Sequence, residues 1–273
     1  MDYYQYPYAK RLTGTTKIVR TRIIKSSIDG TDWGTKHKMC GFEDQAPIKI
    51  KSEDATVLGT EKYFFPSTNK NVKGKLQHEN GGNHLVLNFS EYKNNLGEID
   101  FVLDTDQNKH NKNCTAIFFK FPAEHYFDDS RADMELQVNC STMETGVLAT
   151  RLVVIPVKIA AEGETQSHFF DVLEEQLPQN IDENQLPVDV NVDYFGDFMD
   201  PLSVFDGIYF YETYLNFPEC DSMAYYFYIN RSLIIKKELR DRLFKCLNSS
   251  KRAEDGNARD ATPEPGVFLY KYQ

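Results

Sequence analysis

The sequence predicts a mainly β domain with a few short surface helices. Runs rich in Val, Ile, Phe and Tyr recur from about Phe42 to Ile229, and each is the length of a strand rather than of a helix. Clusters of Asn, Asp and Gly such as ENGGN (79–83), KNNLG (93–97) and DTDQNKHNKN (104–113) separate them, as turns require. Only two segments have a helical period.

In order, the candidate strands are APIKIK from Ala46, HLVLNFSEY from His84, EIDFVLD from Glu98 and AIFFKF from Ala116. DMELQV from Asp133, RLVVIPVKI from Arg151, GIYFYETYL from Gly207 and AYYFYI from Ala224 follow. Residues 167–177 place Phe169, Phe170, Leu173 and Leu177 at helical spacing, with Ser167 as a candidate N-cap. KKELRDRLFKCL from Lys236 reads as a second short helix. No internal repeat and no glycine-rich phosphate loop is legible.

At 273 residues, 41% hydrophobic and 13% aromatic, the chain can build one large core. Its longest apolar stretch, LVVIPVKIAA from Leu152, contains Lys158 and is too short to span a bilayer. The first 27 residues lack the apolar h-region of a secretory signal. Residues 1–28 carry six basic side chains (Lys10, Arg11, Lys17, Arg20, Arg22 and Lys25) against Asp2; since the whole chain carries −10, the remainder carries −15. So acidic a body excludes a nucleic-acid binder, whose phosphate contacts need a basic surface. The basic leader is compatible with a mitochondrial import sequence or with an arm lying on an acidic partner. Five cysteines form no CxxC spacing, and an odd count leaves one thiol free even if two disulfides form.

Five stretches in order resemble the alpha-type carbonic anhydrases. CGFEDQAPIKI (40–50) resembles the family's cysteine followed by its Gln-Ser-Pro-Ile-Asn-Ile strand. HENGGNHLVLNF (78–89) resembles the hairpin that carries the proton-shuttling histidine. AEHYFDDSRADMELQV (123–138) resembles Ser-Glu-His, then Asp, then Glu-Leu-His-Leu-Val. YFYETYLNFPEC (209–220) resembles the loop of the hydroxide-orienting threonine, and NARDATP (257–263) the closing Asn-x-Arg-x-Ala-x-Pro. The resemblance implies a central twisted, mostly antiparallel sheet of about ten strands. It divides the chain into a basic arm (1–35), a carbonic-anhydrase-like domain (36–266) and a C-terminal tail (267–273).

The family's chemistry needs zinc on three neutral imidazoles, with a fourth position left for water. By the resemblance, those ligand positions here are Lys120, Pro122 and Gln137. A protonated lysine has no lone pair, proline no ligating atom, and a glutamine amide is a poor zinc ligand. A slip of one residue would instead turn Phe119 and Phe121 inward. The six histidines contain no pair at i, i+2 or i, i+4. The hydroxide-orienting threonine falls at Asn216, its neighbour at Phe217, and the shuttle histidine at Asn83. His84, beside it, reads as a solvent-exposed turn residue. Glu124, His125 and Glu135 persist, either as a buried hydrogen-bonded set or as a polar network lining a binding pocket, and Lys120 is expected to place its ammonium near Glu135 or Glu124.

Cys40 and Cys220 stand where secreted relatives carry a disulfide, which would imply maturation in an oxidising compartment; two unpaired core thiols are the alternative. Sequons at Asn88, Asn113, Asn139, Asn230 and Asn248 are what an Asn-rich sequence generates by chance. The expected function is therefore a non-catalytic carbonic-anhydrase-like domain with no metal or other cofactor. It would act through protein partners as an accessory subunit of a larger assembly, with the intermembrane-space side of the mitochondrion as one setting. The alternative is a secreted or cell-surface domain that binds a glycan or receptor. No Ser-His-Asp or Cys-His constellation supports residual hydrolytic chemistry.

Overall fold

The structure, a computed structural model, describes residues 45–58, 72–79, 84–89, 98–99, 112–144, 147–192, 207–216, 222–247, 256–259 and 269–272, with Thr35, Cys40, Cys220 and Ala261. The strands are β1 (Lys49–Ile50), β2 (Thr56–Leu58), β3 (Val72–Glu79), β4 (His84–Asn88), β5 (Glu98–Ile99), β6 (Lys112–Lys120), β7 (Tyr126–Phe127) and β8 (Ser130–Arg131). They continue as β9 (Met134–Glu144), β10 (Val147–Ile159), β11 (Val188–Val192), β12 (Ile208–Tyr214), β13 (Met223–Ile229), β14 (Leu233–Ile235) and β15 (Leu269–Tyr272). Helix α1 spans His168–Gln176 and α2 spans Lys237–Lys245.

One sheet runs in the order β11-β3-β4-β6-β9-β10-β13-β12-β15-β2, with β5 beside β6 and β14 beside β10. It is mostly antiparallel; β10–β13, β10–β14 and β15–β2 are the parallel pairs. The longest strands, β9 and β10, lie at its centre. Pro156, which cannot donate to a ladder, falls where the neighbour of β10 changes from β13 to β14.

Alternation along the strands separates two cores. Val153, Ile155, Ile117, Phe119, Leu136, Phe210 and Phe227 face one side. There α1 buries Phe169, Phe170 and Leu173, and α2 buries Leu239 and Leu243. Leu152, Val154, Tyr209, Tyr211, Tyr226 and Tyr228 face the other side, over Ala46, Ile48 and Ile50. Ser167 is the N-cap of α1, but its hydroxyl accepts from the Ile234 amide rather than from the helix.

Two disulfides staple the domain. Cys40–Cys220 closes 180 residues with Cα atoms 5.1 Å apart, and the chain-entropy account assigns a loop of that length about 5 kcal/mol. Cys114–Cys140, a pairing that cysteine spacing alone leaves open, joins facing residues of β6 and β9. Cys246 is the free thiol, buried, and burial pushes it up to about 12.

Residues Leu269–Tyr272, expected in a C-terminal tail, form strand β15, which pairs with both β12 and β2. Of the basic arm at 1–35, all but Thr35 lies outside the described residues. No described helix is long and apolar enough to cross a membrane.

The C-terminal motif is pinned to the end of β6. The Asn257 side chain accepts from the Phe121 amide at 2.9 Å and donates to the Phe119 carbonyl at 3.0 Å, while its own amide donates to the Phe121 carbonyl. Gly256 makes this approach possible at φ +103°, because a Cβ there would lie 2.0 Å from the Phe121 oxygen. Gly256→Ala should therefore cost about 3 kcal/mol or more, through combined strain and clash. Gly163→Ala, at φ +81° in open space, should cost only about 1 kcal/mol. Urea denaturation of the two variants compares them.

Candidate functional site

In the antiparallel β6–β9 register, Lys120 faces Glu135 and Phe118 faces Gln137. Facing residues share a side of the sheet, so these four lie together, while Phe119 and Leu136 point into the opposite core with Phe121. The slipped register, with Phe119 and Phe121 turned toward the polar side, is thereby corrected. Lys120 is fully buried.

The Lys120 ammonium donates to Glu124 Oε1 at 2.8 Å, with both side chains fully buried. The Arg259 amide reaches the same oxygen at 3.1 Å. Gln137 Nε2 donates to Glu124 Oε2 at 2.8 Å and to Glu135 Oε1 at 2.7 Å. Asn216 Nδ2 donates to Glu124 Oε2 and, at 3.2 Å, to Gln137 Oε1. Glu124 thus accepts from four donors, and both N–H groups of each neighbouring amide are used.

The second carboxylate is held as firmly. Glu135 accepts from the His125 amide at 3.0 Å and from His125 Nδ1. An ionised carboxylate only accepts, so Nδ1 carries a proton. His125 Nε2 shares a short hydrogen bond with the Tyr211 hydroxyl. Burial alone would raise Glu135, but the charge and hydrogen bonds of His125, with the Gln137 amide, hold it below the usual carboxylate range. Burial, then the charges of Tyr226, Glu135 and Glu124, pushes Tyr211 well above the ordinary phenol value. Tyr226 accepts from the Asn216 amide at 3.1 Å and donates to Asn216 Oδ1 at 3.3 Å.

Of the residues singled out from sequence, Lys120, Glu124, His125, Glu135, Gln137 and Asn216 meet in this cluster. Pro122 follows β6 and is partly exposed. Phe217 and Asn83 lie outside the described residues. His84 is corrected: it opens β4 and is 1% exposed rather than solvated, and its ring meets Phe118 edge-on at 5.7 Å. Burial, and then the Lys120 charge, holds its pKa well below the usual value. Tyr211, Tyr226 and Arg259 join the cluster without having been singled out; Tyr211 and Arg259 lie in the motifs quoted above, and Tyr226 in a candidate strand.

A curled β sheet whose one face carries buried carboxylates locked to an imidazole and tyrosines is the architecture of an alpha-carbonic-anhydrase domain. Residues 29–264 match the family model for eukaryotic-type carbonic anhydrase, and the chain belongs to that family. Solved structures agree on the fold. Dioscorin, crystallised with ascorbate, is similar at TM-score 0.66 and 19% identity, over 89% of this chain and 93% of its own. The fungal alpha carbonic anhydrase of Aspergillus oryzae is similar at 0.67 and 18%, over 87% and 91%. The Thermovibrio ammonificans enzyme, solved with the inhibitor sulfanilamide, is similar at 0.67 and 15%, over 90% and 97%. Among curated proteins no sequence matches.

Zinc, which this family implies, does not fit the side chains present. The ammonium of Lys120 faces a carboxylate, the Gln137 oxygen faces Asn216, and Pro122 has no donor. Among the described residues no three His, Cys, Asp or Glu side chains stand together as a metal-binding group.

Two outcomes follow from the charges. Lys120→Met would leave Glu124 buried without its cation and should cost about 3–5 kcal/mol. Lys120→Met with Glu124→Gln should cost much less than the two single changes together, as a denaturation cycle would read. His84 supplies a pH dependence. The unfolded chain takes up a proton near pH 6.5 that the folded chain refuses until lower pH. The unfolded state therefore binds more protons in that window, so stability is full above about 6.5 and falls with acidification. His84→Phe should flatten that fall, measured as midpoint against pH.

Proposed function

We propose that this chain is a non-catalytic carbonic-anhydrase-like domain that serves as a structural, protein-interaction subunit of a larger assembly. The observation carrying this reading is the buried 2.8 Å ion pair of Lys120 and Glu124. By the resemblance, Lys120 stands at one of the positions where the family's reaction needs a zinc ligand. Catalysis would need lone pairs there to lower the pKa of a bound water. Lys120 supplies an ammonium instead, and Asn216 commits both amide hydrogens to Glu124 and Gln137. A fold freed from its reaction can be kept for its surfaces.

Two disulfides favour an oxidising compartment, either the intermembrane-space side of the mitochondrion or the secretory route. A second reading, a secreted or cell-surface binding domain, is favoured by Asn230, which is exposed within the sequon Asn230-Arg231-Ser232.

Purified protein should hold no stoichiometric zinc and hydrate carbon dioxide no faster than background. Elemental analysis finding about one zinc per chain would sink the proposal. Combined Lys120→His, Pro122→His and Gln137→His changes should improve metal binding, with activity staying poor while Asn216 remains. Fractionation of native cells should recover the chain in a large complex; a soluble glycosylated form would favour the second reading.

A further inference from the structure

The Cys40–Cys220 disulfide lies next to the polar cluster through two separate routes. On one side Arg259 clamps the chain near Cys40: its guanidinium donates to the Cys40 carbonyl at 2.8 Å and to the Ala46 carbonyl at 3.1 Å. The amide of the same residue donates to Glu124. On the other side Cys220 follows Asn216 by four residues, and Asn216 donates to Glu124 as well. The two flanks are also drawn together where Gln45 bridges Tyr214 and the Ala46 amide reaches the Tyr214 carbonyl. Glu124 is thus gripped from both sides of one covalent bond.

Cys220 stands at φ +56°, a left-handed backbone that residues bearing a Cβ adopt at a cost. A residue persists there only where its surroundings over-determine it. Here the surroundings include the bond to Cys40. Cutting that bond removes one of the constraints that hold Cys220 at this φ, four residues from Asn216 in sequence.

We infer that the Cys40–Cys220 disulfide is a redox latch on the polar cluster: oxidised, it holds Asn216 and Arg259 on Glu124 and keeps Lys120 sealed; reduced, it lets the cluster open. The reductant is a dithiol. Its thiolate attacks one cysteine sulfur to give a mixed disulfide and release the other as thiolate. The second thiol then closes a ring on the reagent, leaving two protein thiols and an oxidised reagent. The inference rests on the geometry around Glu124 and holds whether or not the chain has lost catalysis.

The test is acetylation of Lys120 by acetic anhydride, followed by peptide mass spectrometry of the full chain with and without dithiothreitol. Amide exchange at Leu136 and Val153 reports the core in parallel. Reduction should raise Lys120 labelling by about tenfold or more while those core amides stay protected, because a local opening is probed separately from global unfolding. Cys220→Gly, which removes the bond but accepts φ +56°, should raise labelling less than Cys220→Ala, which keeps the unfavourable backbone. Cys114→Ala with Cys140→Ala should leave it unchanged. Unaltered labelling after reduction overturns the latch. So does a parallel rise at Lys120 and the core amides, since Lys120 would then be reached only through global unfolding.

Discussion

The structure on this face depends on one carboxylate, Glu124. It sits four residues beyond Lys120 and receives donors from four segments, two near in the chain and two distant: Lys120 at the end of β6, Gln137 on β9, Asn216 after β12 and Arg259 near the C-terminus. A buried carboxylate is costly unless its lone pairs are filled. The segments that fill them are thereby fixed relative to one another. Asn257 adds a purely backbone-directed tie two residues before Arg259, so the C-terminal motif is held both by neutral backbone groups of Phe119 and Phe121 and by the charged Glu124.

Much of this fold is legible in the sequence. The strands that stand out there are those whose residues are apolar on both faces, as in RLVVIPVKI, where one set meets the helices and the other the tyrosine layer. β3 escapes the pattern because only one of its faces is buried: Val72, Gly74 and Leu76 alternate with Lys73 and Lys75, and the glycine contributes no side chain to the alternation. Gly74 is small because the Phe89 ring lies against it, 2.6 Å from where a Cβ would be. β15 escapes it because its four residues gain their place from β12 and β2, which are distant in sequence.

The site divides along the same line. Lys120, Glu124, Glu135 and Gln137 are legible because a strand period and a family motif both point at them. Tyr211, Tyr226 and Arg259 have no role that the sequence displays, since hydrogen-bond partners across 86 or 135 residues leave no local trace. His84 departs from expectation because a turn-rich neighbourhood, ENGGN, suggests exposure. It is the first residue of β4, and alternation places it on the sheet face shared with Val86 and Phe118.

A buried ion pair is weak grounds for stability, because desolvating both ions offsets much of their attraction. Why then would such a cluster persist if, as proposed, it has no reaction to perform? The asymmetry of hydrogen-bond energetics offers an answer. Replacing all of Lys120, Glu124, Gln137 and Asn216 with apolar side chains of similar volume would be nearly neutral, but removing any one alone strands buried donors or acceptors at about 1–3 kcal/mol each. Single substitutions are the steps available to a drifting sequence, and each is uphill. Tyr211 and Tyr226 deepen the trap: they stack on each other at 4.8 Å while their hydroxyls serve His125 and Asn216. The same two rings belong to the apolar layer that holds Leu152 and Val154, so that layer's packing is coupled to the polar network. A network of this kind is retained because there is no short path out of it, which makes its survival compatible with a chain selected for shape alone.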